Sequence, residues 1–195
     1  MPPAPPLFEL RAELLDVEPP VWRRLRISSD RTLADLHVAL QALFGWENRH
    51  LHQFTSFDGR PYIDRAHDPY APPEMGEERD VRLTEVLLEP GTRLGYEYDF
   101  GDEWEIAVWL ERTLDGGEGG AHSGFPELVD GNGAAPPEDC GGPCDYEEIV
   151  AILADATHPD HEEIVHWLPS GFDPAICDRE RIRDRLKAST RPPSA

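Results

Sequence analysis

Two runs of alternating residues, Arg93–Phe100 and Trp104–Arg112, constrain the fold more than any other feature. Leu94, Tyr96, Tyr98 and Phe100 share one side of the first run, and Trp104, Ile106, Val108 and Leu110 share one side of the second. Successive side chains point to opposite faces of a strand, so each run presents a single apolar face. The short link Gly101-Asp102-Glu103 turns one run back on the other, and cross-strand aromatic and aliphatic pairs then fix the register. A hairpin with so heavy an apolar face needs a cover, so a sheet packed on a helix is the expected arrangement.

The rest of the chain supplies both parts. Leu7–Asp16 and Val21–Ile27 read as a second hairpin, turned by Glu18-Pro19-Pro20, with Val21, Leu25 and Ile27 on one face and Trp22, Arg24 and Arg26 on the other. Thr32–Phe44 is the clearest helix: Thr32 and Asp35 have capping-box spacing, Leu33, Leu36, Leu40, Leu43 and Phe44 form a stripe, and Gly45 stops it. His50–Phe57 alternates as a middle strand ended by Asp58-Gly59. Tyr62–Arg79 has no period and reads as a surface loop, Leu83–Leu88 as one helical turn, and Leu114–Gly124 as a mobile glycine-rich segment. Three C-terminal helices follow. Asp145 and Glu148 cap the first, with the stripe Tyr146, Ile149, Val150 and Leu153. Thr157 and Pro159 open the second, with Ile164, Trp167 and Leu168 inward, and Asp178 caps the third over Ile182 and Leu186. The expectation is a single α+β domain over residues 7–188, between a Pro-rich arm (1–6) and a disordered tail (189–195). Its sheet is mixed and mainly antiparallel, built from two hairpins and a middle strand, and packs on one main helix with a C-terminal helical segment.

Composition excludes several functions. No apolar run approaches the roughly 18–20 residues of a membrane span. Three cysteines, an odd number, do not make a disulfide framework and point to a reducing cytoplasm. A net charge of −21 repels phosphate backbones, so nucleic acid is not an expected partner; Arg23, Arg24, Arg26 and Arg31 are the local exception on which a nucleic-acid-binding alternative rests. Phosphate-binding glycine loops, dinucleotide fingerprints and serine nucleophile elbows are missing, and no cofactor is expected.

Two loops hold the chemistry. Asp99 and Asp102 flank Gly101 at the hairpin tip, and Pro136-Pro137-Glu138-Asp139-Cys140-Gly141-Gly142 sets two carboxylates in a stiff turn. Asp99-Phe100-Gly101 matches the kinase magnesium triplet, but no His-Arg-Asp loop accompanies it. Asp130-Gly131-Asn132-Gly133 opens like a calcium loop, but Ala135 and Gly141 stand where glycine and glutamate are needed. Cys140 and Cys144, with His50, His52, His122 or Cys177, are weak candidates for a zinc site. Asp99, Asp102, Glu138 and Asp139 either serve a hard metal or an acid/base pair, or accept backbone N–H groups in turns, the ordinary work of Asp beside Gly. The ligand- or partner-binding candidates are therefore His50, His52, Tyr98, Asp99, Asp102, Trp104, Glu138 and Asp139.

These two loops, together with Pro20-Val21-Trp22-Arg23-Arg24 and the stretch Phe44–Phe54, resemble the plasmid open-reading-frame-three-like family, also known as insertion-element passenger TnpR proteins. The resemblance spans about Leu7 to Leu186 and implies an α+β domain associated with bacterial mobile elements, without a defined activity. Relatives usually carry a histidine where this chain has Ile106, and often a cysteine where it has Ala135. The expected function is a non-enzymatic binding or accessory protein of the bacterial cytoplasm with a protein partner. The rival is a metal-dependent hydrolase or nuclease using Asp99, Asp102, Glu138 and Asp139.

Overall fold

The computed structural model describes residues 4–115 and 126–189. Its centre is an eight-stranded sheet: β1 (Leu7–Leu14), β2 (Val21–Ser28), β3 (His52–Thr55), β4 (Pro61–Ile63), β5 (Gly76–Glu77), β6 (Arg93–Tyr98), β7 (Trp104–Leu114) and β8 (Glu127–Asn132). The strands lie in the order β5-β4-β3-β6-β7-β1-β2-β8, antiparallel except for the β4–β5 pair. The two expected hairpins are its middle. In β6–β7 the register sets Tyr98 opposite Trp104, Tyr96 opposite Ile106 and Leu94 opposite Val108, all of them buried. β1 is held between β7 and β2, and Leu10, Ala12, Val108, Leu110 and Leu25 line the same core.

Helix α1 (Leu33–Phe44) closes that face. Thr32 and Asp35 form the expected reciprocal cap, Gly45 ends the helix at φ 80°, and Leu36, Leu40 and Phe44 are buried. The helix is buried beyond its stripe, at His37 and Gln41, where both side chains meet Tyr96 of β6 and the Asn48 link, while α5 (Arg179–Ser189) packs against α1 as well. A single turn α2 (Leu83–Val86), α3 (Gly142–Ala154) and α4 (His161–Trp167) complete the chain. Among the described residues no helix is long and apolar enough to cross a membrane.

The structure departs from expectation in several places. The stretch Tyr62–Arg79 is not a bare loop: it carries β4, β5 and a 3-10 turn at Glu78–Asp80. Strand β8, hidden by the turn-like letters Asp130-Gly131-Asn132, pairs with β2; Gly131 is needed there because a Cβ would meet Arg23 Cδ at 3.1 Å and Cys177 Sγ at 3.0 Å. Phe100 lies beyond the strand and is exposed, as is Trp167. Helix α3 begins at Gly142 with the left-handed Gly141 as its cap, so Asp145 sits in the first turn, and Ile152 joins Tyr146 and Ile149 in the buried stripe. Pro6 O accepts a hydrogen bond from Ser29 N, so the arm is tied down at its end. Ser189 belongs to α5; the expected mobile segment after Leu114 falls largely outside the described residues, as does the tail beyond Ser189.

Arg23 is the largest correction. Its alternation places it on the core side of β2, 2% exposed, where Nε donates to Leu43 O and Nη1 to Trp22 O and Asn132 O. The other arginines of the basic stretch face solvent but are paired. Arg24 forms a two-point contact with Glu111, and Arg26 and Arg112 converge on Glu9. Burial alone would raise the Glu9 carboxyl, yet the hydrogen bonds and charges of Arg112 and Arg26 hold it below its ordinary value. No free basic strip remains on that strand for a phosphate backbone.

Candidate functional site

Three separate segments converge at one end of the sheet: the link after α1, the tip of the β6–β7 hairpin, and the Pro136–Gly141 loop between β8 and α3. Trp46 anchors them. It follows directly on the helix stop, stacks on Tyr98 with centroids 4.9 Å apart, and donates its indole N–H to Pro136 O at 3.1 Å. The loop is thus pinned over the hairpin by an aromatic body with one polar end.

On this platform the His50 ring lies between carboxylates. Its Nδ1 faces Asp99 Oδ2 at 3.4 Å, and its Nε2 faces Asp139 Oδ1 at 2.9 Å and Glu138 Oε1 at 3.9 Å. His50, Asp99 and Asp139 each offer a ligand atom, all within 4.8 Å of one another. Glu138 is held by two donors, Tyr98 O–H and the Glu47 backbone N–H, and Tyr98 in turn accepts from Arg49 N–H. Burial and the bond to Glu138 push the Tyr98 hydroxyl above its ordinary value, so it stays a donor. The Arg49 guanidinium reaches Glu47 and, at 3.8 Å, Asp139. Residues Asn48, Asp99, Glu103 and Asp139 all have left-handed φ near the site, at 54°, 57°, 55° and 57°. Asn and Asp tolerate that region best, which accounts for three of the four.

The other sequence candidates fall elsewhere. Asp102 turns away and accepts the Gly141 N–H at 3.0 Å, stapling the hairpin tip to the loop, while Asp99 Oδ1 accepts Gly101 N–H across the tip. The unusual backbone expected at Gly101 is instead carried by its neighbours Asp99 and Glu103. Trp104 is a core residue. His52 is buried, stacked on His37 at 3.6 Å and bonded through Nε2 to Glu78. Cys140 is buried, and burial followed by the charge of Asp102 pushes its thiol up to about 12. Cys144 is exposed, Cys177 is half-buried in the segment before α5 with its Sγ against Gly131, and His122 falls outside the described residues. Ile106 is core and Ala135 packs against it, so the cluster assembles without either position.

Sequence reasoning missed Trp46 and Arg49 as site residues, because their partners Tyr98, Pro136 and Asp139 lie far along the chain; the signal available was a large aromatic directly behind a helix-stopping glycine.

Fold and site together define an α+β protein whose hairpin tip and Pro/Gly loop hold a histidine among carboxylates. The chain matches the family described as plasmid pRiA4b ORF-3-like protein over residues 6–181, and it belongs to that family. It is 37% identical over 183 residues to the uncharacterized protein y4hQ of Sinorhizobium fredii (strain NBRC 101917 / NGR234), covering 90% of this chain and 88% of that one. It is also similar to the crystal structure of MM3350, a protein of unknown function from Methanosarcina mazei Go1, with a TM-score of 0.78 and 32% identity over 90% of this chain and 96% of that one.

Proposed function

We propose that this is a non-enzymatic binding protein, an accessory passenger of bacterial plasmids and insertion elements in the cytoplasm, and that it takes up a divalent metal ion at His50. The observation that carries the reading is the gathering of His50, Asp99 and Asp139 within 4.8 Å from segments far apart in the chain. His50, Asp99 and Asp139 are the ligands, and Glu138, 3.9 Å from His50 Nε2, is the next carboxylate beside them. Ligands bound at about 2.0–2.2 Å stand roughly 3–3.5 Å apart around one ion, so small side-chain rotations suffice. One imidazole with carboxylates favours Zn²⁺ or Mn²⁺ over Mg²⁺. Family membership supports the link to mobile elements.

The hydrolase alternative draws on the same place but loses a member, since Asp102 is committed to the Gly141 N–H. Titration of Zn²⁺ and Mn²⁺ into the purified chain tests the reading. Expected is saturable one-to-one binding that raises the melting temperature and is lost in His50→Ala and Asp139→Asn. Binding unchanged in both variants, or none in the wild type, overturns it. Metal-dependent cleavage of a phosphodiester that disappears in the same variants would replace binding with hydrolysis.

A further inference from the structure

A cleft of about 550 Å³ opens between the end of α1, the Pro136-Pro137 loop and the start of α5, and it gathers Arg23, Arg179, Arg181 and Arg185 beside four carboxylates, Glu47, Glu138, Asp173 and Asp178. Arg23 enters from β2, and Arg181 and Arg185 from α5. Arg23 uses Nε and Nη1 on three carbonyls, and its Nη2 has no acceptor among the described residues. Arg185 rests on the left-handed Gly45, where a Cβ would stand 2.0 Å from Nη1. Among the described residues, neither the Arg185 nor the Arg181 side chain has a hydrogen-bond or ion-pair partner. The carboxylates at the rim each hold another donor, Glu47 through the Arg49 guanidinium. Asp178 accepts Arg181 N–H, Asp173 accepts Ala175 N–H, and Glu138 accepts Tyr98 and Glu47.

We propose that this cleft binds a phosphomonoester of a small organic molecule, with the phosphoryl group on Arg23, Arg181 and Arg185 and the organic part against Phe172 and Ile176. Buried guanidinium is costly unless an acceptor meets it, and its planar fork suits phosphate oxygens. A phosphoryl group offers three terminal oxygens to three arginines, where a carboxylate offers two. The start of α5 adds a favourable dipole for an anion. The volume falls within the roughly 300–1,000 Å³ of small-molecule sites and is too small for a macromolecule to fill by its bulk. Burial and then the charge of Arg181 hold Arg185 below the ordinary arginine value, and a dianion between them relieves that repulsion. The cleft is separate from the His50 cluster, with Glu138 on the wall between them.

Calorimetric titration of the full chain with phenyl phosphate, inorganic phosphate and phenol, at ionic strength fixed with NaCl, tests the proposal. Phenyl phosphate is expected to bind one-to-one and more tightly than inorganic phosphate, and phenol not at all. Arg185→Gln and the exposed Arg181→Gln each weaken phenyl phosphate by about tenfold, the scale of a charge-assisted bond. Neither lowers the melting temperature of the unliganded protein, which a purely structural arginine would do. Absence of saturable phosphate binding, or affinities unchanged in both variants, overturns the site. Equal affinity for the two phosphates overturns the organic part, and displacement of phenyl phosphate by a short oligonucleotide at lower concentration overturns the small molecule in favour of a nucleic acid.

Discussion

His37 is held neutral chiefly by its burial, which outweighs the Asn48 hydrogen bond and the charge of Asp64. Its Nδ1 accepts the Tyr96 hydroxyl at 2.9 Å, a hydroxyl that itself receives Gln41 Nε2, and its Nε2 donates to Asn48 Oδ1 at 2.9 Å. Burial, and then the neighbouring His52, lower its pKa from 6.5 to about 3. A base depressed in the folded state gives stability that is complete above the unfolded value of 6.5 and is lost as pH falls toward about 3. The loss approaches about 1.4 kcal/mol per pH unit inside that window. His37→Gln removes the titration, so unfolding free energies measured from pH 7 to pH 4 should fall less steeply in the variant; parallel curves would mean that His37 titrates normally. At the hairpin tip the chemistry is structural. Asp102→Asn keeps one acceptor oxygen for Gly141 N–H but removes the charge, and should cost about 1–2 kcal/mol. A rise in melting temperature would instead reveal a carboxylate held against repulsion. Gly142 is similarly fixed: it sits at φ 83°, and a Cβ would stand 2.5 Å from Asp102 O. Gly142→Ala should therefore cost about 1–3 kcal/mol and loosen the loop over His50.

Among the elements, α1 organises the fold, because it lies between the sheet and α5 with Leu36 and Leu40 fully buried. Leu40→Ala should cost about 2–5 kcal/mol in urea unfolding; a loss under about 1 kcal/mol would place its side chain outside the core. This helix was legible because each of its signals is local: Thr32 with Asp35, the leucine stripe and Gly45. The central hairpins were legible for the same reason, since alternation is a property of a single run. What escaped depends on distant partners. β8 has only Leu128 and Gly131 buried, and its turn-like Asp130-Gly131-Asn132 makes sense only once the Arg23 side chain is seen crossing it. β4 and β5 are three and two residues long, too short to show a period. Arg23 reads as a surface cation until carbonyls from the end of α1, its own strand and β8 are found around its guanidinium. At the candidate site the chemical letters His50, Asp99, Glu138 and Asp139 were readable, whereas their convergence, and the exclusion of Asp102 and His52, required the fold.

At the scale of the whole molecule, charge sets two opposing terms. The chain has 39 acidic and 18 basic residues, and several of its arginines are already engaged on the solvent face of the sheet by Glu9, Glu13 and Glu111. The half-exposed pairs Arg11–Glu13 and Arg24–Glu111 contribute roughly 0–1 kcal/mol each and weaken as salt is added, whereas the buried Glu9 and its partners Arg26 and Arg112 are screened less. The excess of carboxylates repels itself over the whole surface, and the compact state concentrates that repulsion. At about 10 mM ionic strength the Debye length is roughly 30 Å, long enough for charges across the molecule to interact; at about 1 M it is roughly 3 Å, and little survives beyond direct contacts. With a net charge of −21, the many unscreened repulsions should outweigh the few exposed attractions. The melting temperature should therefore rise as NaCl increases from about 10 mM toward 0.5 M, most steeply at the low end where screening changes fastest. Sodium sulfate strengthens apolar burial as well, so NaCl is the discriminating salt. A melting temperature that falls over this range would mean that the arginine–carboxylate ladder across β1, β2 and β7 governs stability in place of net repulsion. Replacing Glu111 with Gln separates the cases again: it removes one excess charge but strips Arg24 of its two-point partner, and should destabilise at low salt only if that ladder dominates.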